Sequence, residues 1–190
     1  MRKIVLQVCA ISLDGVIQTD GSDFEKYFEQ MPEDIRSEAW IAEAVGGADV
    51  LVVGRKTYLG MADFFPTAES GPMVDAVNRV PKVVLSKTLS TANWGPVTIA
   101  IGELADELDR LRHGGDGYAL VQGGAKLLRA VAELKAADEY WLGVSPYVAE
   151  TGPRLFSTDG SGLELELQSV EPFNNGIVAM KYRRVAADPR

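Results

Sequence analysis

The sequence predicts an α/β fold built on a mostly parallel sheet of about eight strands flanked by helices, with an antiparallel hairpin at its C-terminal edge. Three observations carry this prediction. Short apolar runs rich in β-branched residues, such as Ile4–Ile11 and Asp49–Val53, have the near-continuous hydrophobicity of strands buried on both faces. Stretches of helical spacing alternate with them; Leu104, Leu108 and Leu111 form one such stripe. The last two apolar runs are separated by Pro172 and Asn174-Asn175-Gly176, which reads as a hairpin turn and not a helical crossover.

In chain order, Ile4–Ile11 is the first strand, and Asp14-Gly15 turns the chain. Residues 18–33 are polar and hold Gly21 and Pro32, so they read as a loop with a short helical piece. Ile35, Ala39, Ala42 and Val45 place a helix over Glu33–Val45, ended by Gly46-Gly47. Asp49–Val53 is the second strand, followed by a helical turn over Thr57–Met61. Met73–Val80 is a short helix stopped by Pro81. Lys82–Ser86 and Val97–Ile101 are the third and fourth strands, and Glu103–Arg112 is a helix closed by the Gly-rich stretch after His113. Tyr118–Gln122 is the fifth strand, Gly124–Lys135 a helix, and Glu139–Ser145 the sixth strand. The Pro146–Gly162 loop leads to the final pair, Leu163–Val170 and Ile177–Val185. One domain over residues 1–185 and a frayed tail, 186–190, are expected.

Composition excludes several functions. The net charge is −8 and the sequence pI near 4.7, whereas general nucleic-acid binding needs a basic face. The single cysteine, Cys9, rules out an internal disulfide and fits a reducing, cytoplasmic setting. One cysteine and one histidine, His113, cannot build a thiolate or polyhistidine metal centre in one subunit, so no metal is expected. No apolar run approaches the ~18 residues of a membrane span. The N-terminus, interrupted by Gln7 and lacking a small-residue cleavage site, reads as a strand and not a leader.

Four segments, each at the end of a predicted strand, combine into one candidate cofactor site: CAISLDGVI (9–17), VGRKTY (53–58), VLSKT (84–88) and QGGAKLLRA (122–130). Ligands of open α/β sheets gather outside the carboxyl ends of the strands, where helix starts offer free N–H groups to anions. Gly123 and Gly124 let backbone approach a phosphate at a helix start. Arg55, Lys56, Lys87 and Lys126 add positive charge, and Thr57 can cap a helix or bind a phosphate oxygen. Taken singly, each is also an ordinary turn. Neither the Walker A spacing nor a G-x-G-x-x-G following a strand is present. Cys9 reads as a small core residue and His113 as a helix C-terminal residue.

In this order and spacing, SLDGVI, VGRKTY, LSKT, QGGAKLL and the later PYVAETGPRLF (146–156) resemble the dihydrofolate reductase-like superfamily. The nearest resemblance is to the reductase domain of the bifunctional riboflavin-biosynthesis deaminase-reductase and its free-standing bacterial relatives. It covers roughly residues 1–184 and implies NADPH as hydride donor. By that resemblance Gly54, Arg55, Lys56 and Thr57 hold the pyrophosphate and 2′-phosphate region, and Ser86 and Lys87 lie at the adenosine 2′-phosphate. Gly123, Gly124, Ala125 and Lys126 cradle the pyrophosphate, while Ala10 and Ile17 flank the nicotinamide. Asp14 and Glu38 are the carboxylates for proton delivery, Glu38 standing beside Trp40 on its helix. The substrate implied is a small heterocycle, pterin- or pyrimidine-like, or a carbonyl compound, and the implied assembly is a homodimer. The alternatives are a riboflavin-pathway pyrimidine reductase, a non-catalytic nucleotide sensor of the same fold, and a binder of flavin or another phosphate ligand.

Overall fold

The structure, a computed structural model, describes residues 1–156 and 162–185. The expected tail at 186–190 and part of the 146–162 loop therefore lie outside the described residues. The strands are β1 (Lys3–Ile11), β2 (Val50–Gly54), β3 (Lys82–Leu85), β4 (Val97–Ala100), β5 (Tyr118–Val121), β6 (Glu139–Val144), β7 (Leu165–Pro172) and β8 (Val178–Arg184). They form one sheet in the order β4-β3-β2-β5-β1-β6-β8-β7. The first six are parallel to one another, and β8 runs antiparallel between β6 and β7. The fold class read from the sequence is the one observed.

Among the described residues, six helices cover the two faces: α1 (Asp23–Glu29), α2 (Ile35–Gly46), α3 (Arg55–Phe64), α4 (Pro72–Arg79), α5 (Leu104–His113) and α6 (Ala125–Glu133). Strand residues alternate in direction, so one chain of apolar residues supplies two cores. Ile4, Leu6, Val52 and Val121 pack with Leu108 of α5 and Leu128 and Val131 of α6. Val5, Leu51, Val53 and Leu120 pack with Trp40, Ala44 and Val45 of α2, Tyr58 of α3 and Ala76 and Val77 of α4.

Three boundaries differ from the sequence reading, each for a local reason. Ser22 accepts from the Glu25 N–H at 3.0 Å and sets the start of α1, the short helical piece expected within residues 18–33, at Asp23. The turn expected at Thr57–Met61 is a ten-residue helix, α3, capped by Gly54 and anchored through buried Tyr58. Strand β7 extends to Pro172; as an edge strand it tolerates the missing N–H.

The chain passes from β1 to β2, β3 and β4 on one side, then returns to insert β5 between β2 and β1 before crossing to β6. This reversal of strand order places the carboxyl ends of β1, β2 and β5 side by side, at the point where open α/β sheets bind ligands.

Candidate active site

Strand adjacency brings two helix starts together. Strands β2 and β5 are neighbours, so Gly54, which caps α3, and Gly124, which caps α6, sit at one edge of the sheet. Neither cap has a side-chain hydrogen bond, which leaves the first N–H groups of both helices unclaimed by a capping side chain. The two starts are joined directly: the Gly124 N–H donates to Thr57 Oγ1 at 3.2 Å. Gly123 beside them has φ +128°, and a Cβ there would stand 2.8 Å from Thr57 Oγ1, so only glycine fits. Around Gly54 nothing lies within 4 Å of where a Cβ would be, and around Gly124 only Thr57 Oγ1 at 4.0 Å. Both helix starts therefore open onto space.

The charges there are distinctive. Arg55, Lys56 and Lys126 are exposed and have no hydrogen-bond or ion-pair partner among the described residues. Apart from Arg79, every other lysine and arginine of the described residues has an acidic, carbonyl or aromatic partner. Three unpaired cations flanking two open helix N-termini make a site for a multiply charged anion, in a protein whose net charge is −8.

The third basic turn is more occupied. Ser86 Oγ accepts from the N–H groups of Thr88, at 3.2 Å, and Leu89, at 2.9 Å, and Lys87 is ion-paired with Glu103. That pair is exposed on both sides, so an incoming phosphate can replace the carboxylate at little cost. Ala10 and Ile17 are both buried, and the Ala10 carbonyl accepts a long 3.4 Å bond from the Gln18 N–H. Ala125 is half-buried in the first turn of α6.

Asp14 is fully committed to a loop junction. Its Oδ1 accepts from Ser12 Oγ at 2.7 Å and from the Ala149 N–H at 2.9 Å; its Oδ2 accepts from the Glu150 N–H at 3.1 Å and pairs with Arg154 at 3.1 Å. The Ser12 hydroxyl, the Ala149 N–H and the Arg154 charge hold its carboxyl at about 2, well below the usual range. Ile17 N–H to Pro153 O, Leu155 N–H to Gly15 O and Leu13 N–H to Tyr147 O complete the seam between residues 12–17 and the loop after β6. Val16, Ile17, Phe24, Tyr147, Ala149 and Thr151 help line a cavity of about 320 Å³ against this seam. Tyr147 stacks on Phe24 at 5.2 Å and on Tyr27 at 4.5 Å, fixing α1 over it. Glu38 lies exposed in the first turn of α2, with no side-chain partner among the described residues. Trp40, on the same helix, is buried in the core instead. Cys9 is half-buried, and burial pushes its thiol up to about 12, as suits a packing residue.

Three features escaped the sequence reading: the Thr57–Gly124 link, the grip of Asp14 on the later loop, and a buried amide pair, Gln7 with Gln122. Only the last had a visible signal, since each glutamine ends or interrupts an apolar run.

Residues 2–179 match the RibD C-terminal domain family, and the chain belongs to that family. Among solved structures it is similar to a riboflavin biosynthesis protein from Shewanella sp. PV-4, at 22% identity and a TM-score of 0.72, covering 96% of this chain and 99% of that one. A pyrimidine reductase-like protein from Corynebacterium diphtheriae shares 15% identity with a TM-score of 0.67, over 98% and 93% of the two chains. Dihydrofolate reductase from Enterococcus faecalis, complexed with NADP(H), shares 17% identity with a TM-score of 0.59, over 96% of each chain. At these identities the likeness is one of fold, and it confirms the dihydrofolate reductase-like architecture. No curated protein matches the chain.

Proposed function

We propose that the protein is an NADPH-dependent reductase that transfers a hydride to a small heterocyclic substrate, pyrimidine- or pterin-like, or to a carbonyl compound. Residues 1–185 act as one domain, in a cytoplasmic homodimer. The observation that carries this is the pair of open helix starts at Gly54 and Gly124, joined through Thr57 and flanked by Arg55, Lys56 and Lys126 without protein partners. Membership of the RibD C-terminal domain family supports the reductase class. The pyrimidine reductase-like and NADP(H)-bound relatives support the substrate and cofactor classes. Within this reading, a riboflavin-pathway pyrimidine reductase is the narrower form that the family favours.

The residues present fit the cofactor. The first N–H groups of α3 and α6 hold the pyrophosphate, with Arg55, Lys56 and Lys126 neutralising it and Gly123 and Ala125 letting backbone come close. Lys87 leaves Glu103 to take the 2′-phosphate, with Ser86 donating its hydroxyl hydrogen. Ala10 and Ile17 wall the nicotinamide. When bound, NADPH supplies the hydride, and the protein's task is alignment and one proton. Asp14 is ionised throughout the physiological range and holds the loop after β6 in place as a positioning residue. Glu38, without a partner of its own, is the carboxylate left to hold or deliver the proton.

The test is titration of the protein with NADPH and then NADH, read through quenching of Trp40, Trp94 and Trp141. Micromolar binding with NADPH about ten-fold tighter or more is expected, one tenfold step being ~1.4 kcal/mol. Absence of binding by either would overturn the reading and leave a protein with this fold and another ligand.

A further inference from the structure

On the α2 side of the sheet, the core stops short of the carboxyl ends of β1 and β5. Val5 pairs with Leu120 across β1 and β5, and both belong to that core. One step further along the same face, the residues are Gln7 and Gln122. Their amides meet in a hydrogen bond from Gln122 Nε2 to Gln7 Oε1. Gln7 is 1% exposed and Gln122 9%, yet Gln7 Nε2 has no partner among the described residues. Turning both amides over exchanges donor and acceptor but still leaves one polar atom of Gln7 unmet. A buried amide atom without a partner costs more than a hydrogen bond contributes, so its persistence asks for a function.

The surroundings supply one. Cys9, the next residue of β1 on that face, is half-buried. Gln122 Nε2 lies 3.9 Å from the Cys9 thiol. Gln122 also directly precedes Gly123 and Gly124. The amides thus lie between the apolar core and the glycine turn that starts α6.

We propose that Gln7 and Gln122 form the specificity-determining edge of the substrate pocket, reading a lactam group of a flat heterocycle through paired N–H and C=O hydrogen bonds. This rests on the reductase reading and narrows it. One amide donates to the ring carbonyl and the other accepts from the ring N–H, so the orphaned atom gains its partner only when substrate is bound. A site built to hydrogen-bond rejects analogues that lack the group, because its own polar atoms are then left unpaired.

The probes are 5-aminouracil and its 1,3-dimethyl analogue, each titrated into the protein saturated with NADPH. The unmethylated ring should bind about ten-fold more tightly or better. The Gln7→Leu/Gln122→Leu double variant should lose that discrimination while keeping its NADPH affinity and thermal midpoint, since removing both members of a buried pair is close to neutral. In the wild-type protein, the side-chain amide NMR signals of both glutamines should shift on adding 5-aminouracil, a readout that does not depend on the variant folding. Unmoved amide signals, no binding of 5-aminouracil, or unchanged discrimination in the double variant would each overturn the assignment. The cofactor titration separates the two claims: discrimination that depends on the glutamines in a protein that fails to bind NADPH would retain the lactam site and remove the reductase.

Discussion

Gly124 and Gly123 are neighbours with opposite reasons for being glycine. Gly124 has φ −70°, which any residue adopts, and the space around it is open. Gly123 has φ +128° and sits against Thr57. Gly124→Asp should therefore leave the circular dichroism spectrum and melting point near those of the parent. Its carboxylate would occupy the anion site and weaken NADPH by about 100-fold, or ~2.7 kcal/mol. A retained dissociation constant would remove α6 from the phosphate site. Lys82 shows a different residue-level effect. It is 1% exposed, donates to the Val80 carbonyl at 2.9 Å and stands 4.1 Å from the Trp94 ring centroid. Burial pulls its ammonium down to about 8. With the folded value below the ordinary 10.5, the unfolded chain binds more protons between the two, so stability rises with pH across that window. Tyr118 and Tyr140, pushed up to about 12 mainly by burial, oppose this only above about pH 10. Thermal midpoints measured from pH 8 to 10 should show the rise, and Lys82→Met should flatten it.

At the scale of elements, the seam between residues 12–17 and the loop after β6 is held chiefly by one carboxylate. Asp14 engages a hydroxyl, two backbone N–H groups and Arg154, while Glu150 adopts φ +60° to present its N–H. Asp14→Asn keeps the shape and removes the charge that gathers these donors. The expected result is a rise in KM of about ten-fold with a smaller change in kcat, as follows from a displaced pocket wall and not a lost proton donor. A collapse of kcat at unchanged KM would return Asp14 to the chemistry. Because its carboxyl titrates at about 2, no activity change between pH 4 and 8 should trace to it. The elements themselves were unequally legible. Helix α6 is plain from two glycines followed by AKLLRAVA, whereas α1 is legible only as a short helical piece without bounds, because its cap, Ser22, stands in a polar stretch and Phe24 is its sole buried residue.

For the whole molecule, the proposed cofactor site is a basic spot on an acidic protein, drawn from three separate turns. Ligand that binds only the folded state stabilises it. NADPH at about 100 times its dissociation constant should contribute ~2.7 kcal/mol and raise the melting point by about 5–10 °C for a chain of this size. A null shift alongside measurable quenching would mean that binding does not depend on the folded site. Hydrophobic periodicity along the chain decided the α/β class, the strand sequence, the terminal hairpin and the basic glycine turns, because burial and turn chemistry are local properties of neighbouring residues. Strand order was not local. The insertion of β5 between β2 and β1 sets Thr57 against Gly124 and Gln7 against Gln122, and the pairing of β1 with β6 sets the Ser12–Ile17 turn against the loop after β6. These contacts join residues 67, 115 and 135 positions apart, in the cases of Thr57–Gly124, Gln7–Gln122 and Asp14–Ala149. No spacing along the chain encodes them; they exist only once the sheet has closed in that order.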